Sequence, residues 1–245
     1  MKVVSFRASG EFAAFRDPSV TSNQTVYYIP SKTAVVGIIG AILGIERGHG
    51  IHENYGKPYL NLFKKTSIGI ELESYPEKIS FFTNHRSLKE AKTKPFKTEL
   101  LLRPRYRIFV SSDDDTEKIF DAVSSGKYVY PPYLGHAYCL ATLSDPIMHM
   151  DATEFDGSEY DTSSVILDES ETFDKSFQLQ ATPKTDSSAM IIERHLHHYI
   201  ENNKLEARVL KHWIPAGGSS FWIKSKKPKL SKIVKLDNER VVCLY

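Results

Sequence analysis

An α+β fold with helices packed on one face of an antiparallel sheet is predicted from three features of this 245-residue chain. The first is the run Tyr28–Ile45, YIPSKTAVVGIIGAILGI, which reads as a single buried helix. The second is the order of elements up to Leu143: strand, helix, strand, insertion, strand, helix, strand. That is the split βαβ order of a ferredoxin-like sheet. The third is a pair of strand patterns, Met190–Tyr199 and Leu205–Trp213, joined by the hairpin signal Glu201-Asn202-Asn203-Lys204.

The elements follow in chain order. Lys2–Arg7 is a first strand, and Ala8–Tyr28 a long connection of the kind often given to function. Pro30 and Ser31 suit a helix start, the serine hydroxyl accepting an orphan backbone N–H. From Ala34 to Ile45 only Ala, Val, Ile, Leu and Gly occur, so the helix has no polar face and should be covered on most sides. Gly37, Gly40 and Gly44 cost helix propensity, which points to close backbone packing. The run is shorter than the roughly 20 apolar residues that cross a bilayer. His49–Lys65 reads as a polar stretch, and Ser67–Tyr75 as a strand with one wet face.

Phe81–Lys97 is a poorly periodic insertion with phenylalanines at its base and cations near its tip. Leu100–Val110 resumes a strand, with Pro104 marking an edge or a bulge. Asp113–Gly126 is a short helix, acidic at its start and ended by glycine. Tyr130–His136 is a turn and Ala137–Leu143 a strand. The acidic stretch Asp151–Asp174 reads as a linker or long loop. Beyond the hairpin, Pro215–Ser220 is a flexible turn, and Phe221–Lys224 and Val241–Leu244 are short strands.

Charge is nearly balanced, 32 Lys and Arg against 30 Asp and Glu, so bulk charge names no partner. It is segregated, however. Asp151–Asp174 carries nine acidic residues and no Lys or Arg, whereas Lys204–Lys235 carries nine Lys and Arg against Glu206 alone. A further cluster holds Arg86, Lys89, Lys92, Lys94 and Lys97 against Glu90. Such stripes suit a directed polyanion site, or a solvated face. Cys139 and Cys243 make no metal or redox motif. Reduced thiols in a cytoplasmic protein without a signal peptide are expected.

Four pieces in order, FRASGEFAAFRDP, YYIPSKTAVVGIIGAILG, RPRYRIFV and PPYLGH, resemble the CRISPR-associated Cas-five family, with the closest look to its type I-B versions. The similarity is continuous over about Met1–Asp145 and weak beyond. It implies a ferredoxin-like (RRM-like) core over residues 1–147, with a β-hairpin thumb inserted at about 78–99. The acidic linker and a small β-rich C-terminal part would fill 148–245. It further implies a non-catalytic subunit of Cascade, the type I surveillance complex of antiviral defence, holding the 5′ handle of the crRNA. Implied partners are the crRNA, the backbone (Cas-seven) subunit, the large (Cas-eight) subunit and target DNA near the PAM. No membrane, cofactor or metal is implied. Because one family branch, type I-C, cleaves precursor RNA, a metal-independent endoribonuclease is the alternative.

Single-stranded RNA is gripped by cations on phosphates and aromatic faces on bases. The candidate RNA-binding residues are Arg16 and Asn23 in the first connection, Lys32 and Thr33 at the helix start, and His85, Arg86, Lys89, Lys92 and Lys94 in the thumb. Lys32 and Thr33 equally suit plain helix-start chemistry, and the thumb lysines a solvated tip. Lys-Thr also ends a P-loop, but Tyr27 and Ser31 stand where its glycines belong, which excludes that motif. A ribonuclease would need an acid and base pair, such as His85 with Arg86 or His136 with Tyr133. His195 and His197 share one face of a strand; with no completing ligand nearby, surface or interface histidines are expected there. Trp213, Phe221 and Trp222 beside Gly217-Gly218 and several lysines suit a nucleic-acid groove or a subunit contact.

Overall fold

The computed structural model describes residues 1–20, 23–48, 55–87, 89, 92–171, 173–202 and 204–245. His49, Glu90 and Asn203, parts of stretches discussed above, lie outside them. The first half contains β1 (Val3–Ser9), β2 (Phe12–Ala13), α1 (Lys32–Leu43), α2 (Lys57–Lys65), β3 (Thr66–Leu72), β4 (Glu77–Arg86), β5 (Thr93–Leu102), β6 (Arg105–Ser112), α3 (Thr116–Ser125) and β7 (Thr142–His149). The second half is all strand: β8 (Thr153–Glu154), β9 (Glu159–Thr162), β10 (Ile166–Asp168), β11 (Leu179–Pro183), β12 (Ala189–Glu201), β13 (Lys204–Ala216), β14 (Phe221–Ser225), β15 (Lys232–Lys235) and β16 (Val241–Leu244).

The core sheet runs β3-β6-β1-β7, every neighbour antiparallel. Its register aligns apolar rows across strands: Ile68, Val110, Val4 and Met148 form one, Leu72, Tyr106, Ala8 and Leu143 another. Alternation sends these rows to the face that α1, α2 and α3 cover, making the main core. On the other face, Val3 and Phe109 pack against Val234, Leu236, Val242 and Leu244 of the small β16-β15-β8 sheet. Gly69 permits that contact: a Cβ there would lie 2.9 Å from the Cys243 carbonyl oxygen. The long β12–β13 hairpin extends the core sheet through a single parallel pairing, Ala216 with Leu72.

Helix α1 starts where Ser31 Oγ accepts from the Ala34 amide at 3.3 Å and ends where Gly44 adopts a left-handed φ of 77°. Val35, Val36, Ile38, Ile39, Gly40 and Ile42 are buried. The three glycines do not share one packing role. Gly37 faces open space, Gly40 meets the carbonyl of Ile45, and Gly44 is the C-cap.

Four readings need correction. The stretch His49–Lys65 is not uniformly irregular: Lys57–Lys65 is helical, with Tyr59, Leu62 and Phe63 at helical spacing on its buried face. Leu100–Val110 is two strands, broken at Arg103, whose φ is 49°, and Pro104. The strand expected at Ala137–Leu143 begins only at Thr142, because Leu134 and Cys139 close a tight loop through a 2.7 Å amide–carbonyl bond. Finally, Asp151–Asp174 is not a bare linker. It supplies β8, β9 and β10 to three different sheets and buries Tyr160, Val165, Ile166 and Leu167.

Candidate nucleic-acid interface

The insertion is a regular antiparallel hairpin, β4 on β5, in register from Glu77 opposite Leu102 to Arg86 opposite Thr93. Ser87 N donates to Lys92 O across its end. Cross-strand partners share a face. One face carries Phe82 with Lys97, Asn84 with Pro95 and Arg86 with Thr93. The other carries Phe81 with Thr98, Thr83 with Phe96 and His85 with Lys94. His85 and Arg86 therefore point to opposite sides and do not form the acid–base pair considered above. The His85 ring instead leans on Phe96 at 4.8 Å. His136 likewise stacks on Tyr138 at 5.2 Å. Phe82 is 75 % exposed beside the cations. Among the described residues no carboxylate pairs with Arg86, Lys89, Lys92 or Lys94, all of which are exposed.

The first connection is laid against the hairpin's root. Phe12 and Ala13 pair with Leu102 and Leu101, and Gln24 bridges Thr98, its amide donating to Lys97 O at 2.8 Å. Arg16 pairs with Val26 and stays exposed, and Asn23 precedes the bridging Gln24. The structure thus brings Arg16 and Asn23 to the base of the hairpin. Gly135 of PPYLGH makes this possible from the other side. It has a φ of +91°, and a Cβ there would lie 2.1 Å from Ala14 O.

A half-buried polar seam ties the root in place. Lys78 Nζ donates to Val26 O at 2.7 Å, stands 3.5 Å from Glu193 and lies 4.1 Å from the Tyr28 ring centre. Glu193 Oε2 accepts from the Tyr28 amide at 3.0 Å and meets His195 Nε2 at 2.9 Å. Burial pushes the Glu193 carboxyl up, but His195, the Tyr28 amide and Lys78 outweigh it and hold the group below its ordinary value. Tyr27 stacks on His195 at 3.9 Å and donates to Asp17. Burial raises the Tyr27 hydroxyl, so it remains a neutral donor. No local pattern signals this seam, because Lys78 and Glu193 meet only through the fold.

Lys32 and Thr33 sit elsewhere. Thr33 Oγ1 lies 2.9 Å from Ser31 Oγ, and its carbonyl accepts from Tyr59 OH, so helix-start chemistry occupies it. Lys32 Nζ stands 4.8 Å above Phe63 in a cavity walled by α2 and the β12–β13 hairpin, with no thumb residue in its lining.

His195 and His197 are interior, not surface, residues, at 1 % and 5 % exposure. They share a face with His212 and Tyr245; the His195 and His212 rings lie 4.6 Å apart. Desolvation holds His197 down to about 4 and His212 well below its ordinary value. Among the described residues no group of three or more His, Cys, Asp or Glu is arranged to hold a metal. Ser5, His149 and Asp237 form a chain of contacts of 3.2 and 2.6 Å. Ser5 and His149 are each 2 % exposed, so this chain of contacts ties the sheets together from within.

Four of the nine cations of the C-terminal basic stripe are matched in cis by the acidic stretch. Lys224 pairs with Glu159, Lys227 with Glu154 and Asp156, Lys229 with Asp174, and Lys211 with Asp168 and Glu171. Nor do the aromatics form one platform. Phe221 is core, Trp213 donates to Asp168, and Trp222 is exposed under Lys184.

The chain belongs to the CRISPR-associated protein (Cas_Cas5) family, whose model matches residues 3–223. Its setting is CRISPR antiviral defence. Solved structures share the fold. A chain of a CRISPR RNA-guided surveillance complex matches at 13 % identity with a TM-score of 0.51, covering 87 % of this chain and 90 % of its own. A CRISPR protein from Archaeoglobus fulgidus matches at 14 % identity and 0.52, covering 99 % and 98 %. No curated protein gives a significant sequence match. Among the described residues no helix is long and apolar enough to cross a membrane.

Proposed function

We propose that this chain is a cytoplasmic, non-catalytic subunit of a type I-B-like Cascade that grips the 5′ handle of the crRNA with its β4–β5 thumb. One contrast carries the reading. The cations at the thumb tip lack carboxylate partners among the described residues, whereas Lys211, Lys224, Lys227 and Lys229 are paired in cis. Unpaired cations beside the exposed ring of Phe82 suit phosphates and an unstacked base. Arg16 and Asn23 at the thumb root extend the same surface. The antiparallel order β7-β1-β6-β3, with α1 and α3 in the two crossovers, supports a ferredoxin-like (RRM-like) core over residues 1–147. Residues 148–245 would brace the backbone and large subunits and, near the PAM, target DNA.

The test is RNA retention by the guide-loaded complex carrying Arg86→Glu and Lys89→Glu. Retention should fall, and the slope of log affinity against log salt should flatten by about 1.4, at roughly 0.7 per lost phosphate contact. Unchanged retention overturns the thumb assignment. Incubation of the chain with repeat RNA in EDTA should leave the RNA intact; a cut at one fixed position overturns the non-catalytic reading.

A further inference from the structure

We propose that the cavity between the start of α1, the end of α2 and the β12–β13 hairpin is a pocket for a phosphate-bearing nucleotide. It measures about 450 Å³, and its polar lining is Lys32, Lys64, His197, His198, Tyr199, Asn202 and Tyr245. These supply two ammonium groups, two imidazoles, two phenols and an amide. Among the described residues no Asp or Glu side chain lines it. Such a set donates hydrogen bonds and offers positive charge, which defines an anion site by its chemistry.

Lys32 makes the case specific. Solvent still reaches part of its side chain, but surrounding atoms strip the ammonium of hydration and lower it to about 8. It remains mostly charged at neutral pH, with the Phe63 ring below it and no carboxylate partner among the described residues. An anion in the cavity supplies the missing countercharge. His197, held neutral by burial and by the Lys32 charge, can donate one ring N–H to the same oxygen cluster.

Size selects the ligand. A lone inorganic phosphate fills a small part of this volume, whereas pockets of roughly 300 Å³ and above suit small organic ligands. Two point-charge lysines match a compact dianion better than a planar carboxylate, which favours an arginine fork. The inference goes beyond the guide-RNA reading and does not depend on the thumb. The phosphate can belong to a free nucleotide or to an RNA strand.

The experiment is calorimetric titration of the full chain with uridine 5′-monophosphate, with uridine as the phosphate-free control. The monophosphate should bind at least tenfold tighter than uridine. Lys32→Met and, on the exposed rim, Lys64→Glu should each weaken it at least tenfold, while Lys226→Glu, outside the cavity, should not. Displacement of the monophosphate by a short 5′-hydroxyl oligouridylate would assign the site to a strand phosphate, and failure to displace it to a free nucleotide; both uphold the pocket. Equal binding of monophosphate and uridine, or unchanged affinity in Lys64→Glu, overturns it. Thumb variants are read by RNA retention and these by nucleotide affinity, so either proposal can fail alone.

Discussion

Replacing Lys32 by Met should stabilise the ligand-free chain at neutral pH. Met keeps an unbranched stem against Phe63 and removes the charge that the site desolvates. The ammonium's ordinary value is 10.5 and the folded value about 8. At roughly 1.4 kcal/mol per unit, the full difference is about 3 kcal/mol, and residual solvent contact reduces it to about 2. Between these two values the unfolded chain binds more protons than the folded one, so wild-type stability rises with pH there. The penalty is complete below about 8 and fades toward 10.5. Urea unfolding should therefore show the variant ahead by about 2 kcal/mol at pH 7 and by about 0.5 kcal/mol at pH 10. His197 should also titrate higher in the variant, since it loses a repelling neighbour; NMR of the imidazole protons reads this directly. A variant no more stable than wild type at pH 7, with a gap that does not change by pH 10, would refute the desolvation argument.

Gly135→Ala should destabilise by about 3 kcal/mol or more, combining left-handed strain with a clash against Ala14 O, and should loosen the first connection. Urea midpoints measure the cost, and proteolysis between Gly10 and Tyr28 measures the loosening. Glu193→Gln should cost about 1–2 kcal/mol at pH 7, because Lys78 loses its countercharge while the remaining carbonyl oxygen still serves the Tyr28 amide and His195. The native carboxyl lies below its ordinary value of 4.5. Its contribution is thus present above that value and lost as pH falls below it. Unfolding curves of the two proteins should converge on acidification.

Local chemistry was readable wherever local chemistry decides. The Ser31 cap and the Gly126 stop lie within a few residues of what they control, whereas β3, expected to have one wet face, is buried on both, with Glu71 at 5 % exposure and Gly69 against the Cys243 carbonyl. Helix α2 escaped notice because Lys64, Lys65 and Pro58 gave the stretch a polar look, although Tyr59, Leu62 and Phe63 carried the helical period. The three glycines of α1 suggested one packing face and turned out to serve unrelated needs. At the candidate interface, the thumb cations were identifiable because they follow one another in the chain. The pairing of Lys78 with Glu193, the burial of His195 and the enclosure of Lys32 depend on segments far apart in sequence. The two charged stretches were noticed separately; their mutual neutralisation needed the sheets that align them.

That neutralisation leaves the molecule's field uneven. With Lys211, Lys224, Lys227 and Lys229 matched by nearby carboxylates, the tip of the β4–β5 ribbon is one of the places where exposed cations stand without a carboxylate partner among the described residues. Over the 8 Å or so that ions permit a field to reach at physiological salt, those cations would attract an approaching polyanion before any contact forms. The protein would draw its partner in first and hold it afterwards.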